Sequence, residues 1–244
     1  MATTESWRER QRAATELEIK AVARRQLVDS GGTELSLRGI AREMGMTAPG
    51  LYRYFDNLGA LAGALCHDFL DEVGTRIGAA LDGAGDDLAV RIHTAIRTFR
   101  LWAVENPAEF GLVFRSKGPG PVAFPGQRSS WIEDDCPDTR RFAGLFLGLF
   151  VQMWQERPFE PPDLEPLPPG LREQLRRYGQ GLGTDLPEAA LWVFARAWIR
   201  LHSVIALEVL GQLEFMFADV EPYFEAELQD VVWTLGVPYL PPGS

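Results

Sequence analysis

Between residues 36 and 61 the chain reads SLRGIAREMGMTAPGLYRYFDNLGAL, and this stretch holds a compact set of hydrogen-bond donors: Arg38, Arg42, Tyr52, Arg53 and Tyr54. A guanidinium offers a fork of N–H groups to phosphate oxygens or to a planar pair of acceptors, and a phenol hydroxyl donates to an oxyanion. The same spacing makes no covalent chemistry. Elsewhere, Cys66 and His67 are neighbours on a helix and point apart, which is poor geometry for a nucleophile and its base. His67, His93 and His202 lack metal-ligand spacing, and no glycine-rich phosphate loop is present. The acidic pairs Asp86-Asp87 and Asp134-Asp135 read as solvated loop charges. No catalytic residue, metal or cofactor is therefore expected, and the chain does not read as an enzyme.

The donors need a scaffold, and the surrounding sequence supplies one. A first helix is expected from about Glu5 to Asp29, with Leu17, Ala21, Arg24 and Val28 on one face and Ala14, Ile19, Val22, Ala23 and Leu27 adding apolar surface. Ser30-Gly31-Gly32-Thr33 ends it. Ser36 caps a short second helix that closes at Gly45, and Thr47 caps a third, Ala48 to Phe55, with Pro49 in its first turn. Asp56 or Asn57 caps a fourth that continues towards Ala80. Leu37, Ile40, Ala41, Leu51 and Phe55 would hold the two short helices against the first, leaving Arg38 and Arg42 together on the outward face. Two short helices joined by a glycine-containing turn match helix-turn-helix architecture, whose second helix enters the major groove of DNA.

With Ala-rich first helix, Gly31, Thr33, Leu37, Ile40-Ala41, Gly45, Thr47, Leu51-Tyr52, Tyr54-Phe55 and Leu61, the first third of the chain resembles the tetracycline-repressor (TetR) family. The resemblance implies an all-α homodimer whose N-terminal head, residues 10–72, binds double-stranded operator DNA. It implies a body, residues 73–244, that holds a small-molecule effector and dimerises, cavity occupancy altering the separation of the two heads. Carried over position by position, Arg38 reaches a base or phosphate, and Ala48, Pro49, Gly50 and Arg53 face the groove. Tyr52 and Tyr54 fall at phosphate-holding positions, with Ser36, Arg42, Thr47 and Asn57 completing the DNA-binding set. Ala48, Pro49 and Gly50 lack polar side-chain atoms, so Arg38 and Arg53 are the candidates for base readout. Leu58 stands where the family usually places a lysine near a phosphate, which shifts backbone binding towards Asn57, the fourth helix's N-terminus, and Lys20 or Arg24.

The remainder also reads as helical: Arg91 to Val104, Ala108 to Arg115, Thr139 to Gln155, Pro187 to Phe217 and Glu221 to Leu235. A Gly/Pro-rich loop is expected over Ser116 to Gln127, and six prolines between Arg157 and Gly170 exclude regular helix there. Ala197-Trp198-Ile199-Arg200-Leu201-His202-Ser203, with Asn106-Pro107-Ala108-Glu109-Phe110, resembles a TetR subgroup with a Trp…His-Gly signature, Ser203 replacing the glycine. Aromatic residues crowd the body, and Trp102, Phe110, Phe114, Phe146, Phe150, Trp154, Trp198 and His202 are the candidates for a largely apolar cavity, with Arg97 and Gln152 as further polar groups. A packed core or a dimer seam is the better account of any single one of them taken alone.

Composition narrows the class. The 244 residues are 46% hydrophobic, enough for a substantial core, and the longest apolar run, Ala143 to Val151, is too short for a bilayer. Two cysteines and a polar N-terminus fit a soluble protein of the reducing cytoplasm with no membrane partner. The net charge of −10 is unevenly distributed: residues 1–57 carry nine Lys/Arg and eight Asp/Glu, the rest 15 and 26. Affinity for a polyanion follows the local field, so an acidic body does not exclude DNA. The sequence expectation is a ligand-responsive repressor, dimeric through its last two helices. The main alternative class, an enzyme, finds no site to start a mechanism; the third is a helical module that recruits a protein through its last two helices.

Overall fold

The computed structural model describes residues 7–114 and 137–243, and ten helices with no strand among them. The all-α class follows. The expected loop over 116–127 and Cys136 lie outside the described residues.

The described chain forms two compact units. The first contains α1 (Trp7–Asp29), α2 (Leu37–Glu43), α3 (Ala48–Leu51), the start of α4 (Leu58–Gly83) and α6 (Pro107–Phe114). Its core is the buried face of α1, Ile19, Val22, Ala23 and Leu27, with Leu37, Ile40, Ala41, Leu51 and Phe55. A helix of four or seven residues does not stand alone in water, and this burial is what holds α2 and α3. Gly45 closes α2 at φ +65°, in the left-handed region that a Cβ disfavours. A single boundary near residue 72 would assign α6 to the body; instead α6 packs on α1 and belongs to the first unit. Glu109 of α6 is buried and accepts from Arg24 Nε at 2.8 Å, while Arg24 Nη2 donates to Asn106 Oδ1 at 3.2 Å.

The second unit contains the rest of α4, α5 (Leu88–Glu105), α7 (Pro137–Glu156), α8 (Pro169–Leu182), α9 (Glu188–Val209) and α10 (Glu221–Thr234). Helix α9 is its centre, packed on α5, α8 and α10. By length and hydropathy α9 alone among the described residues matches a membrane span. Its polar side chains are tied within the unit: Glu208 accepts from Arg100 on α5, and Arg200 pairs with Glu227 and Asp230 on α10. The expected helix to Phe217 ends at Val209, because Gly211 at φ +65° turns the backbone and Gln212 N–H bonds back to Leu207 O at 2.8 Å. Helix α8 has no counterpart in the sequence reading.

Candidate nucleic-acid interface and interior cavity

The first unit presents one face rich in hydrogen-bonding side chains. Ser36 Oγ accepts from Gly39 N at 3.3 Å and Thr47 Oγ1 from Gly50 N at 3.2 Å, fixing the starts of α2 and α3. Asn57 Oδ1 accepts from Ala60 N at 2.9 Å and does the same for α4. The acceptor oxygens of these three expected DNA contacts are thus engaged in capping, but each hydroxyl of Ser36 and Thr47 keeps its O–H for a phosphate. The third helix is shorter than its sequence pattern implies: α3 stops at Leu51, and residues 52–54 continue as a tight turn with Tyr54 N–H bonded to Leu51 O at 2.9 Å. Leu51 and Phe55 still anchor both ends inward.

With the apolar set turned in, Arg38, Arg42, Pro49, Tyr52 and Arg53 are exposed, and Ala48, Gly50 and Tyr54 are half-buried. Among the described residues the side chains of Arg38, Arg42 and Arg53 make no ion pair. Glu43, the one acid on α2, does not neutralise them: Arg25 Nη2 donates to its carboxylate at 2.9 Å and holds its pKa below the ordinary value. Arg12 joins this face, a placement the sequence does not signal because 41 residues separate it from its partner. Its Nη2 donates to Arg53 O at 3.3 Å, and its guanidinium lies 5.6 Å from the Tyr54 ring centre. The expected phosphate cations Lys20 and Arg24 are committed elsewhere, a correction to the sequence reading: Lys20 Nζ sits 2.6 Å from Asp68 and Arg24 holds Glu109.

The second unit contains a partly open pocket of about 70 Å³. Its wall is Ile92, Ile96 and Phe99 of α5, Phe146, Leu149, Phe150 and Met153 of α7, six side chains of α9 including Trp198 and His202, then Val231 and Leu235. Of the sequence candidates, Phe146, Phe150, Trp198 and His202 are brought together there. The other four do not reach it. Trp102 is buried with Nε1 donating to Glu72 at 2.9 Å. Phe110 and Phe114 pack on each other, tilted by 35° at 4.6 Å, within α6 in the first unit. Trp154 packs edge-on against Phe159 at 4.9 Å, beside a separate cleft that includes Thr184 and Asp185. Arg97 is absent from the wall: it donates to both oxygens of Glu225 at 2.8 and 2.7 Å and to Leu240 O at 2.6 Å. Gln152 bonds Glu156 instead. Burial pushes the His202 pKa down, which favours the neutral imidazole at pH 7. Phe99, which the sequence reading did not select, lies 6.0 Å from Trp198 and 6.3 Å from His202 in near-parallel stacks.

Known proteins match both units. Residues 19–65 fit the family model for bacterial regulatory proteins of the tetR family, and residues 92–231 fit the tetracyclin repressor-like C-terminal domain. The HTH-type transcriptional regulator Rv1816 of Mycobacterium tuberculosis H37Rv is 28% identical over 226 residues, covering 92% of this chain and 93% of that protein. Its Mycobacterium bovis counterpart Mb1846 matches to the same extent. The crystal structure of SCO4313 is 30% identical, spans 93% of this chain and 100% of its own, and superposes with a TM-score of 0.68. A Rhodococcus sp. RHA1 protein of unknown function, 16% identical, covering 92% and 95% of the two chains with a TM-score of 0.51, shares the fold alone. The capped helix-turn-helix and the helical body that follows it are those of a transcriptional regulator, and the chain belongs to the TetR family.

Proposed function

We propose that the protein is a cytoplasmic repressor that binds a palindromic operator as a homodimer and is released by a small, largely apolar effector. The observation that carries the DNA-binding role is the outward face of α2, α3 and the turn that follows, where among the described residues the side chains of Arg38, Arg42 and Arg53 make no ion pair and Glu43 is withdrawn by Arg25. In this reading Arg38 and Arg53 read base edges. Tyr52, Tyr54, Arg42, Ser36, Thr47 and Asn57 hold the backbone, and Ala48, Pro49 and Gly50 allow close approach. Dimerisation through α9 and α10 is supported by their exposed apolar side chains, Ile199 and Trp233 being 60% and 76% exposed in the single chain. Two heads on one face of a duplex then sit about 34–36 Å apart, or a multiple of it. The effector must prefer the conformation with misplaced heads, and about 1–3 kcal/mol of coupling suffices. Helix α4 supplies residues to both units and is the element through which occupancy acts.

Selection of bound fragments from genomic DNA, followed by anisotropy on the enriched duplex, tests this. A palindromic consensus bound by a dimer is expected. A purified protein that ignores every duplex at low ionic strength, or a monomer by light scattering at micromolar concentration, refutes it.

A further inference from the structure

We infer that Arg12, on the first helix and outside the helix-turn-helix, is a further DNA-binding residue that holds a backbone phosphate beside the turn after α3. This rests on the reading of the exposed face of α2, α3 and that turn as the surface that meets DNA. From Trp7 to Glu18 no residue of α1 is buried, and the first buried position is Ile19. These opening turns of α1 therefore do not serve the core of the head. What Arg12 meets instead is the end of α3. Arg53 O accepts no backbone N–H among the described residues, the ordinary fate of a carbonyl past a helix end. Arg12 Nη2 supplies the donor at 3.3 Å from 41 positions away in the chain.

One long bond to a carbonyl does not use up the group. Nε–H donates to Glu16 at 2.8 Å and Nη2 to Arg53 O, while Nη1 makes no hydrogen bond among the described residues. The Arg12 side chain is 59% exposed and that of Glu16 34%, and an i, i+4 pair so exposed is weak and screened by salt. Glu16 orients the guanidinium, and a phosphate can share it through Nη1. The Tyr54 ring centre lies 5.6 Å from the guanidinium, and the Tyr54 hydroxyl makes no hydrogen bond among the described residues. A cation and a phenol, with the exposed Arg53 side chain on the same turn, make a patch of donors suited to phosphate oxygens.

The test uses full-length protein and a fluorescein-labelled duplex of mixed sequence, about 30 base pairs long, because non-specific binding is driven almost wholly by phosphates. Anisotropy titrations from about 50 to 200 mM KCl give the slope of log K against log salt for wild type, Arg12→Ala, Arg12→Gln and Arg12→Lys. Losing one phosphate contact makes the slope shallower by about 0.9 for each head bound. The advantage of wild type over Arg12→Ala should therefore narrow by about 3.5-fold per head across that fourfold range of salt. Arg12→Lys keeps the charge and should keep the slope. Arg12→Gln keeps a donor for Arg53 O without the charge and should behave as the alanine variant does. An unchanged slope in Arg12→Ala or in Arg12→Gln reduces Arg12 to a brace of the turn and overturns the inference. Should Arg12→Ala fail to fold, the comparison of Arg12→Lys with Arg12→Gln decides. Arg42→Ala is the control for the face: if it lowers affinity and slope while Arg12→Ala changes neither, the Arg12 contact alone falls. If neither variant changes either quantity, or if wild type binds no duplex, the face itself is misread and the inference falls with it.

Discussion

Arg100→Met should be among the most damaging single changes in the second unit. Arg100 joins α5 to the end of α9 through two charge-assisted hydrogen bonds to Glu208, 2.8 and 2.6 Å long. The two side chains are only 10% and 12% exposed, so solvent does little to screen them. Glu221, 3.8 Å away and 55% exposed, adds little to this pair. Methionine keeps an apolar stem but removes the guanidinium, which also lies 4.9 Å from the Phe224 ring centre, so the loss is chiefly electrostatic. Removing one partner of a buried pair leaves the other charge desolvated and costs about 3–5 kcal/mol. For a chain of this length that lowers Tm by roughly 6–20 °C. Replacing both partners, as in R100M/E208L, removes the stranded charge and should cost far less than the sum of the two single changes. Thermal melts of the four proteins at one fixed protein concentration close the double-mutant cycle. A single-variant loss below about 1 kcal/mol, or strictly additive losses, would mean that the pair is not the strut proposed here.

Arg53→Ala and Arg38→Ala should each weaken operator binding by about 1–3 kcal/mol and relax specificity at one base pair, read by anisotropy on single-substitution duplexes. Uniform weakening across all sequences would reassign that arginine to a phosphate. Tyr52→Phe should weaken all duplexes alike, and a loss confined to one base position would reverse its assignment. Burial depresses the His93 pKa, and its neutral ring is fixed with Nδ1–H donating to Ala89 O at 2.7 Å and Nε2 accepting from Leu240 N at 3.3 Å. The unfolded chain therefore binds the proton more readily, so this contribution is complete above the ordinary value of about 6.5 and erodes as pH falls below it. Melts between pH 7.5 and 5.5 should show a shallower slope for His93→Gln than for wild type; equal slopes would exclude His93 as a source. Ile199→Glu with Trp233→Glu should yield a folded monomer by light scattering, because both side chains are exposed in the single chain. Retention of the dimer would move the interface elsewhere.

Local chemistry made the head legible. Ser36, Thr47 and Asn57 are caps whose oxygens meet backbone N–H groups three residues on, and the inward set Leu37, Ile40, Leu51 and Phe55 follows from helical spacing alone. The outward arginines follow by subtraction. Less legible was the extent of elements that packing trims: nothing in the apolar period distinguishes Ala48–Leu51 from Ala48–Phe55. The proline-rich stretch before it concealed α8, which packs on α9.

What sequence alone determined is therefore what neighbours along the chain decide: helices, caps, the glycine turn at 45 and the sign of each face. Only the tertiary structure decided which distant residues share a surroundings. It tied Arg24 to Glu109 and Lys20 to Asp68 rather than leaving them for phosphates, and it brought Arg12 to Arg53. It also assigned Phe110 and Phe114 to the first unit, and gathered Phe146, Phe150, Trp198 and His202 around the pocket of the second. An aromatic side chain satisfies a core, a seam or a pocket equally well by burial, because the hydrophobic effect has no direction. The choice among them is made by where the helices cross, and that is written in no single stretch of residues.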